Sequence, residues 1–173
     1  MPIFKEKQFD TDSRLCVWEI TETTEELRLL DKDIGSDPFL NHLKTDKRKK
    51  EYLAARLALK KIINVKWQMN KDENGRPYLV NHKGEISISH AESWAAAIRS
   101  NRKTGIDIEN FRPRIEKVAL KFELPQEAAL NQNLDSIKRL SLLWSAKEAL
   151  FKKHSEKHLD FLHQMQLIES VDM

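Results

Sequence analysis

Two acidic residues stand two apart in Gly105-Ile106-Asp107-Ile108-Glu109, and chemistry could begin there. Side chains alternate along an extended chain, so Ile106 and Ile108 face one way and both carboxylates the other. Carboxylates that close repel, and one tends to keep its proton unless a cation lies between them. A few oxygen ligands suit magnesium or manganese, which keep waters and complete their shell on substrate phosphates; zinc would want His or Cys. Taken alone, the segment reads more readily as a half-exposed strand with acidic residues on its wet face, so the pair needs support from elsewhere.

A third carboxylate, Glu148, lies in Leu143 to Lys153 (LWSAKEALFKK), with Trp144 four residues before it and Phe151 three after, on the same face of a helix. An unpaired carboxylate at the margin of an apolar stripe is costly, which calls for a metal ion or a strong partner. Lys152 shares that face, and spacing alone favours a plain i, i+4 surface ion pair between them. Ile86-Ser87-Ile88-Ser89-His90 puts two hydroxyls on one side of a strand that ends in an imidazole, a set suited to phosphate. Gly75-Arg76-Pro77 reads as a tight turn whose guanidinium can stack on a base or grip a phosphate.

These residues need a scaffold. At 173 residues, 40% hydrophobic and 33% charged, the chain suits one globular domain or two small halves sharing a core. Thirty basic against 27 acidic residues leave a net charge of +3, so distribution matters more than the sum. Lys44 to Lys50 (KTDKRKK) concentrates positive charge and suits a phosphate-bearing ligand or an acidic partner, or simply a solvated helix start. The lone cysteine, Cys16, excludes an intramolecular disulfide, and Lys5, Glu6, Lys7 and Asp10 stand where a signal peptide needs an apolar run. A cytoplasmic protein is expected. No window reaches the roughly 18 apolar residues of a membrane span.

Arg14 to Ile20 is β-leaning, and Thr24 with Glu25 and Glu26 opens a helix. Asp46 is expected to cap a helix running to about Asn64, because Ala54, Ala58 and Ile62 recur every four residues beside Leu53 and Leu57. Arg56 adjoins that stripe, so a partly buried guanidinium there should have an anionic partner. Short β-like runs follow at Tyr78 to Val80, Glu85 to Ser89, Trp94 to Arg99 and Gly105 to Glu109, then helix from Ile115, a new segment at Pro125, a long helix over Leu134 to Lys153, and a final strand over Phe161 to Ile168. The order predicts an α+β fold with helices on antiparallel sheet, divided, if anywhere, near Asn101 to Lys103. The histidines at 42, 82, 154, 158 and 163 have no comparable setting.

In this order GRP, ISISHA, GIDIE and WSAKEALFKK resemble the 4′-phosphopantetheinyl transferases, of the larger single-chain type that includes the surfactin-synthetase activators. The resemblance spans Arg48 to Lys152 and implies a fold of two similar α+β halves, residues 1–102 and 103–173, with the second half short. It implies transfer of phosphopantetheine from coenzyme A to a serine of an acyl or peptidyl carrier protein, with release of 3′,5′-ADP. Carried over by matching position, Asp107, Glu109 and Glu148 would hold magnesium or manganese, and Glu148 and Lys152 would be catalytic. Ser89, His90, Arg76, Arg48 and Arg56 would bind coenzyme A. A monomer is implied, with neither nucleic acid nor membrane as partner. Ala91 departs from the pattern, standing where many relatives have serine. Two rival readings use the same residues: a metal-dependent phosphohydrolase acting on coenzyme A, and a non-catalytic module binding coenzyme A or acidic proteins.

Overall fold

The computed structural model describes residues 3–63, 65–80, 82–130, 132–156 and 158–168. Its centre is an antiparallel sheet of β1 (Ile3–Gln8), β2 (Arg14–Glu19), β5 (Glu85–Ala91) and β6 (Trp94–Ser100), in the spatial order β1-β2-β6-β5. Alternation along β2 buries Cys16 and Trp18, and Ala95 and Ala97 of β6 face the same core. These small residues let α3 (Asp46–Ile62) lie close against β6 and β2, with Leu53, Ala54, Leu57, Ala58 and Ile62 as its buried face. Lys5, Glu6 and Lys7 lie on β1, at the sheet edge, where charge discourages further strand pairing.

Between β2 and α3 run α1 (Thr24–Leu30), α2 (Lys32–Gly35) and a 3₁₀ turn (Pro38–His42). The caps fall one residue earlier than the sequence suggests. Thr23 closes a capping box with Glu26 at the start of α1, and Thr45 accepts from the Arg48 amide at the start of α3. Thr24 and Asp46 are each the first helical residue instead, and they bond to each other: the Thr24 hydroxyl donates to Asp46 Oδ1 at 2.5 Å, tying α1 to α3. Helix α3 ends at Ile62; Asn64, where the sequence pattern ended it, lies outside the described residues.

A hairpin of β3 (Gln68–Lys71) and β4 (Pro77–Val80) carries the Gly75 turn at its tip. Gly75 has φ of 82°, a left-handed conformation that glycine adopts without a Cβ clash, and Asp72 Oδ1 accepts from the amides of Asn74 and Arg76 to hold the loop.

The second half has a core of its own. Phe122, Leu140 and Leu143 are buried, with Ile115, Trp144, Phe161 and Leu167 packed on them. A long 3₁₀ segment (Pro113–Lys121), α4 (Pro125–Ala128) and α5 (Ser136–His154) surround it. The α+β class holds, with antiparallel strands and helices. Neither strand expected in this half forms, so among the described residues the second half does not repeat the first.

Gly105 to Glu109 is extended but pairs through no backbone ladder. The amides of Ile106 and Ile108 donate instead to the hydroxyls of Ser87 and Ser89 on β5, at 3.1 and 3.3 Å. Phe161 to Ile168 forms turns because buried side chains satisfy its backbone: Lys147 donates to the Phe161 carbonyl and Glu127 accepts from the Leu167 amide. Among the described residues no helix is long and apolar enough to cross a membrane.

Candidate functional site

The period-two pattern shared by ISISH and GIDIE creates the centre of the site. Because Ser87 and Ser89 stand on one side of β5, their hydroxyls catch alternate amides of the neighbouring extended segment and hold Asp107 beside Ser89. Gly105 makes this approach feasible from the other side: a Cβ there would fall 1.9 Å from the Ala149 carbonyl oxygen and 2.7 Å from the Lys153 amide. The segment is therefore wedged between β5 and α5.

The Asp107 side chain is 5% exposed, whereas Glu109 is an exposed residue. Its Oδ1 accepts from Lys152 Nζ at 2.6 Å and from Ser89 Oγ at 2.8 Å, and its Oδ2 accepts from Ser145 Oγ at 3.0 Å. Lys152 also donates to Ser89 Oγ at 3.0 Å. Glu109 and Glu148 lie close enough to act on one another through charge. Desolvation pushes the Glu148 carboxyl up most; Lys152 pulls it down, while Asp107 and Glu109 add to the rise. Desolvation also pushes Glu109 up, followed by the Asp107 charge, with Arg112 and Lys152 opposing. Among the described residues, no three His, Cys, Asp or Glu groups are already drawn around one point as metal ligands would be. What the structure brings together is three acidic groups and one ammonium.

A cleft of about 960 Å³ opens from this centre along the first half. Asp107, Lys152, Ser89, His90, Arg48, Arg56 and Arg76 all line it, so every residue expected to bind coenzyme A faces one space. Glu109 and Glu148 are not among its lining residues. Trp144 and Phe151, the aromatics that flank Glu148 on α5, both lie against Phe161, and Trp144 also meets Phe122 edge-on at 5.1 Å.

The three arginines are held differently. Arg56 fulfils the expectation of an anionic partner, with Nε 4.0 Å from Asp37 Oδ2 and the guanidinium 3.2 Å from the Tyr52 ring centroid. Burial pulls its pKa down, with Tyr52 and Asp37 opposing. The Tyr52 hydroxyl donates to Asp37 Oδ2 at 2.5 Å, completing a cluster the sequence did not announce. Arg76 contacts Glu85, yet its buried Nε and Nη2 make no hydrogen bond among the described residues. The contact is therefore charge proximity with donors left over. Arg48 reaches Glu51 at 3.0 Å; the rest of the basic run is more scattered, with Lys47 near Glu92 and Lys50 near Asp46.

Sequence reasoning missed Ser145 and Glu51. Ser145 stands inside the WSAKE motif, and its place one helical turn before Ala149, whose carbonyl oxygen Gly105 approaches, was the available signal. Glu51 gave none, since a glutamate closing a run of lysines reads as solvent-facing.

A cleft lined by Arg48, Arg56, Arg76 and Lys152, with Asp107 on its surface and Glu109 and Glu148 near Asp107, has the charge to accept a phosphorylated ligand. Comparison with known proteins narrows the class. Residues 103–172 match the family model described as the 4′-phosphopantetheinyl transferase superfamily. The chain is also 33% identical over 95 residues to "Putative 4'-phosphopantetheinyl transferase" of Haemophilus influenzae, an alignment covering 49% of this chain and 39% of that protein. Of the four motifs, GIDIE and WSAKEALFKK fall inside the residues that match the family model, and GRP and ISISHA precede them.

Proposed function

We propose that the chain is a 4′-phosphopantetheinyl transferase that moves the phosphopantetheine arm of coenzyme A onto a serine hydroxyl of an acyl or peptidyl carrier protein. The observation that carries this reading is the single cleft joining Arg48, Arg56, Arg76 and His90 to Lys152 and Asp107. One wall suits the phosphates of a nucleotide, and the far end suits the bond to be broken.

The donor set is compatible with magnesium or manganese. It is entirely oxygen, and two of its carboxylates are pushed up by desolvation and by the neighbouring Asp107 charge, so the centre is short of positive charge. Asp107, Glu109 and Glu148 would hold the ion, which supplies neutralisation of the diphosphate under attack. Glu148, its basicity raised, takes the proton from the incoming serine hydroxyl. Serine oxygen then bonds to the phosphorus nearer the pantetheine arm, and the bond from that phosphorus to the bridging oxygen breaks. Lys152, fixed by Asp107 and Ser89, bears on the departing 3′,5′-ADP. His90 and the three arginines orient the nucleotide. The same reading divides the chain into units 1–102 and 103–173, a division supported by two separate hydrophobic clusters. A monomer working in the cytoplasm, away from nucleic acid and membrane, completes it.

Intact-mass measurement of an apo carrier protein incubated with the chain, coenzyme A and Mg²⁺ tests the proposal. A gain of one phosphopantetheine, lost with EDTA and with Glu148→Gln, is expected. Free phosphopantetheine without carrier modification would favour the phosphohydrolase instead; no product from any carrier type, with coenzyme A still bound, would favour a binding module.

A further inference from the structure

Glu51 occupies an unusual place for a carboxylate. It lies on the buried face of α3, 2% exposed, among Leu53, Ala54 and Ala55. A buried anion is costly unless paired, so its partners show what keeps it there. One oxygen, Oε2, stands 3.0 Å from Arg48 Nη1 and 3.4 Å from His90 Nδ1. The two side chains come from different elements, α3 and the end of β5, and both line the cleft.

An imidazole has two nitrogens, and the partner of one decides what the other can do. With Nδ1 turned to Glu51, Nε2 is left for a ligand in the cleft. Arg48 carries several donors and needs only one for Glu51, so the remainder stay available. We propose that Glu51 is a positioning residue, a buried anion that aims His90 and Arg48 together as the two arms of one phosphate clamp. The inference rests on the cleft being a site for coenzyme A and deepens that reading, because neither arm would keep its aim without the shared anchor.

Three charged groups face His90. Desolvation lowers the His90 pKa most and Glu51 opposes it by favouring the imidazolium, while Arg48 and Lys152 add to the fall, leaving the histidine below its usual range. Glu51 thus keeps the ring chargeable when a phosphate arrives.

Glu51→Gln keeps the shape and removes the charge. Histidine titration of the ligand-free chain by NMR should show the His90 midpoint falling further in the variant. The Kd for 3′,5′-ADP and the KM for coenzyme A should both rise about tenfold, with kcat within about twofold of the parent. Glu51→Asp, which keeps the charge on a shorter arm, should recover part of both effects, and it serves as the test if thermal melting shows the Gln variant unfolded. An unchanged His90 midpoint with unchanged nucleotide affinity overturns the proposal, as does a loss confined to kcat. Failure of the parent chain to bind either nucleotide would sink the coenzyme A reading, while the His90 midpoint would still decide whether Glu51 holds the ring.

Discussion

Two lysines five residues apart on α5 each pair with a carboxylate, and they end in opposite circumstances. Lys147 is closed in: it meets Glu127 with side chains 3% and 0% exposed, and donates as well to the carbonyls of Phe122 and Phe161. Glu127 in turn accepts from the amides of Leu124 and Leu167. Every strong donor and acceptor is used, so the pair stitches α4, α5 and the end of the chain into one unit. Lys152, on another face, meets Asp107 with its side chain 29% exposed and opens onto the cleft. One pair is complete without a ligand; the other sits beside two carboxylates that lack a full counter-charge. The same chemistry locks a fold when its valences are filled and makes a site when they are not.

Removing the closed pair should have the largest effect. Lys147→Met leaves Glu127 buried and uncompensated, at a cost of about 3–5 kcal/mol read from urea unfolding. Adding Glu127→Leu should restore only part of the loss: the lone buried charge is gone, but the Phe122 and Phe161 carbonyls and the Leu124 and Leu167 amides still lack their partners. A single variant as stable as the parent would contradict the structural role. Lys152→Met should cost much less, about 1 kcal/mol, while lowering transfer activity far more than stability. Equal damage from the two lysine variants in unfolding experiments would erase the contrast.

The smallest shift is also the most diagnostic. Because the Glu148 carboxyl is pushed up, the folded chain binds that proton more tightly than the unfolded chain does. Ionising it therefore costs stability as pH climbs through the ordinary carboxylate range to the raised value, and the penalty persists above. Glu148→Gln without metal should accordingly melt higher than the parent near about pH 7, by about 2–4 °C for each kcal/mol relieved, and this gain should vanish in acid. Mg²⁺ should raise the melting temperature of the parent more than that of the variant. A variant that melts lower at neutral pH would mean Glu148 is held by attractions not described above.

Much of this was legible because the site is built from short motifs whose periodicity survives folding. GIDIE and ISISH share a period of two, so their serines and acids meet whether or not a ladder forms. The α3 stripe and α5 were readable from apolar spacing for the same reason. Strands β1 and β3 were not: IFKEKQ and QMNK are too polar to signal a sheet, and neighbouring strands impose their conformation. Phe161 to Ile168 was misread because its apolar content looks like a strand, while its backbone partners, Lys147 and Glu127, are distant side chains no local pattern encodes. Glu51 was hidden by its sequence neighbours, since charge runs report composition and not which member turns inward.

NMR of the isotopically labelled chain would show whether the arginine-lined cleft and the Asp107, Glu109 and Glu148 carboxylates form one site. Coenzyme A should shift signals from Arg48, Arg76 and His90, and Mn²⁺ should broaden those around Asp107, Glu109 and Glu148, with broadening reaching the coenzyme A phosphates when both are present. Manganese broadening centred away from these carboxylates, or coenzyme A shifts outside the cleft, would mean that they do not form one site.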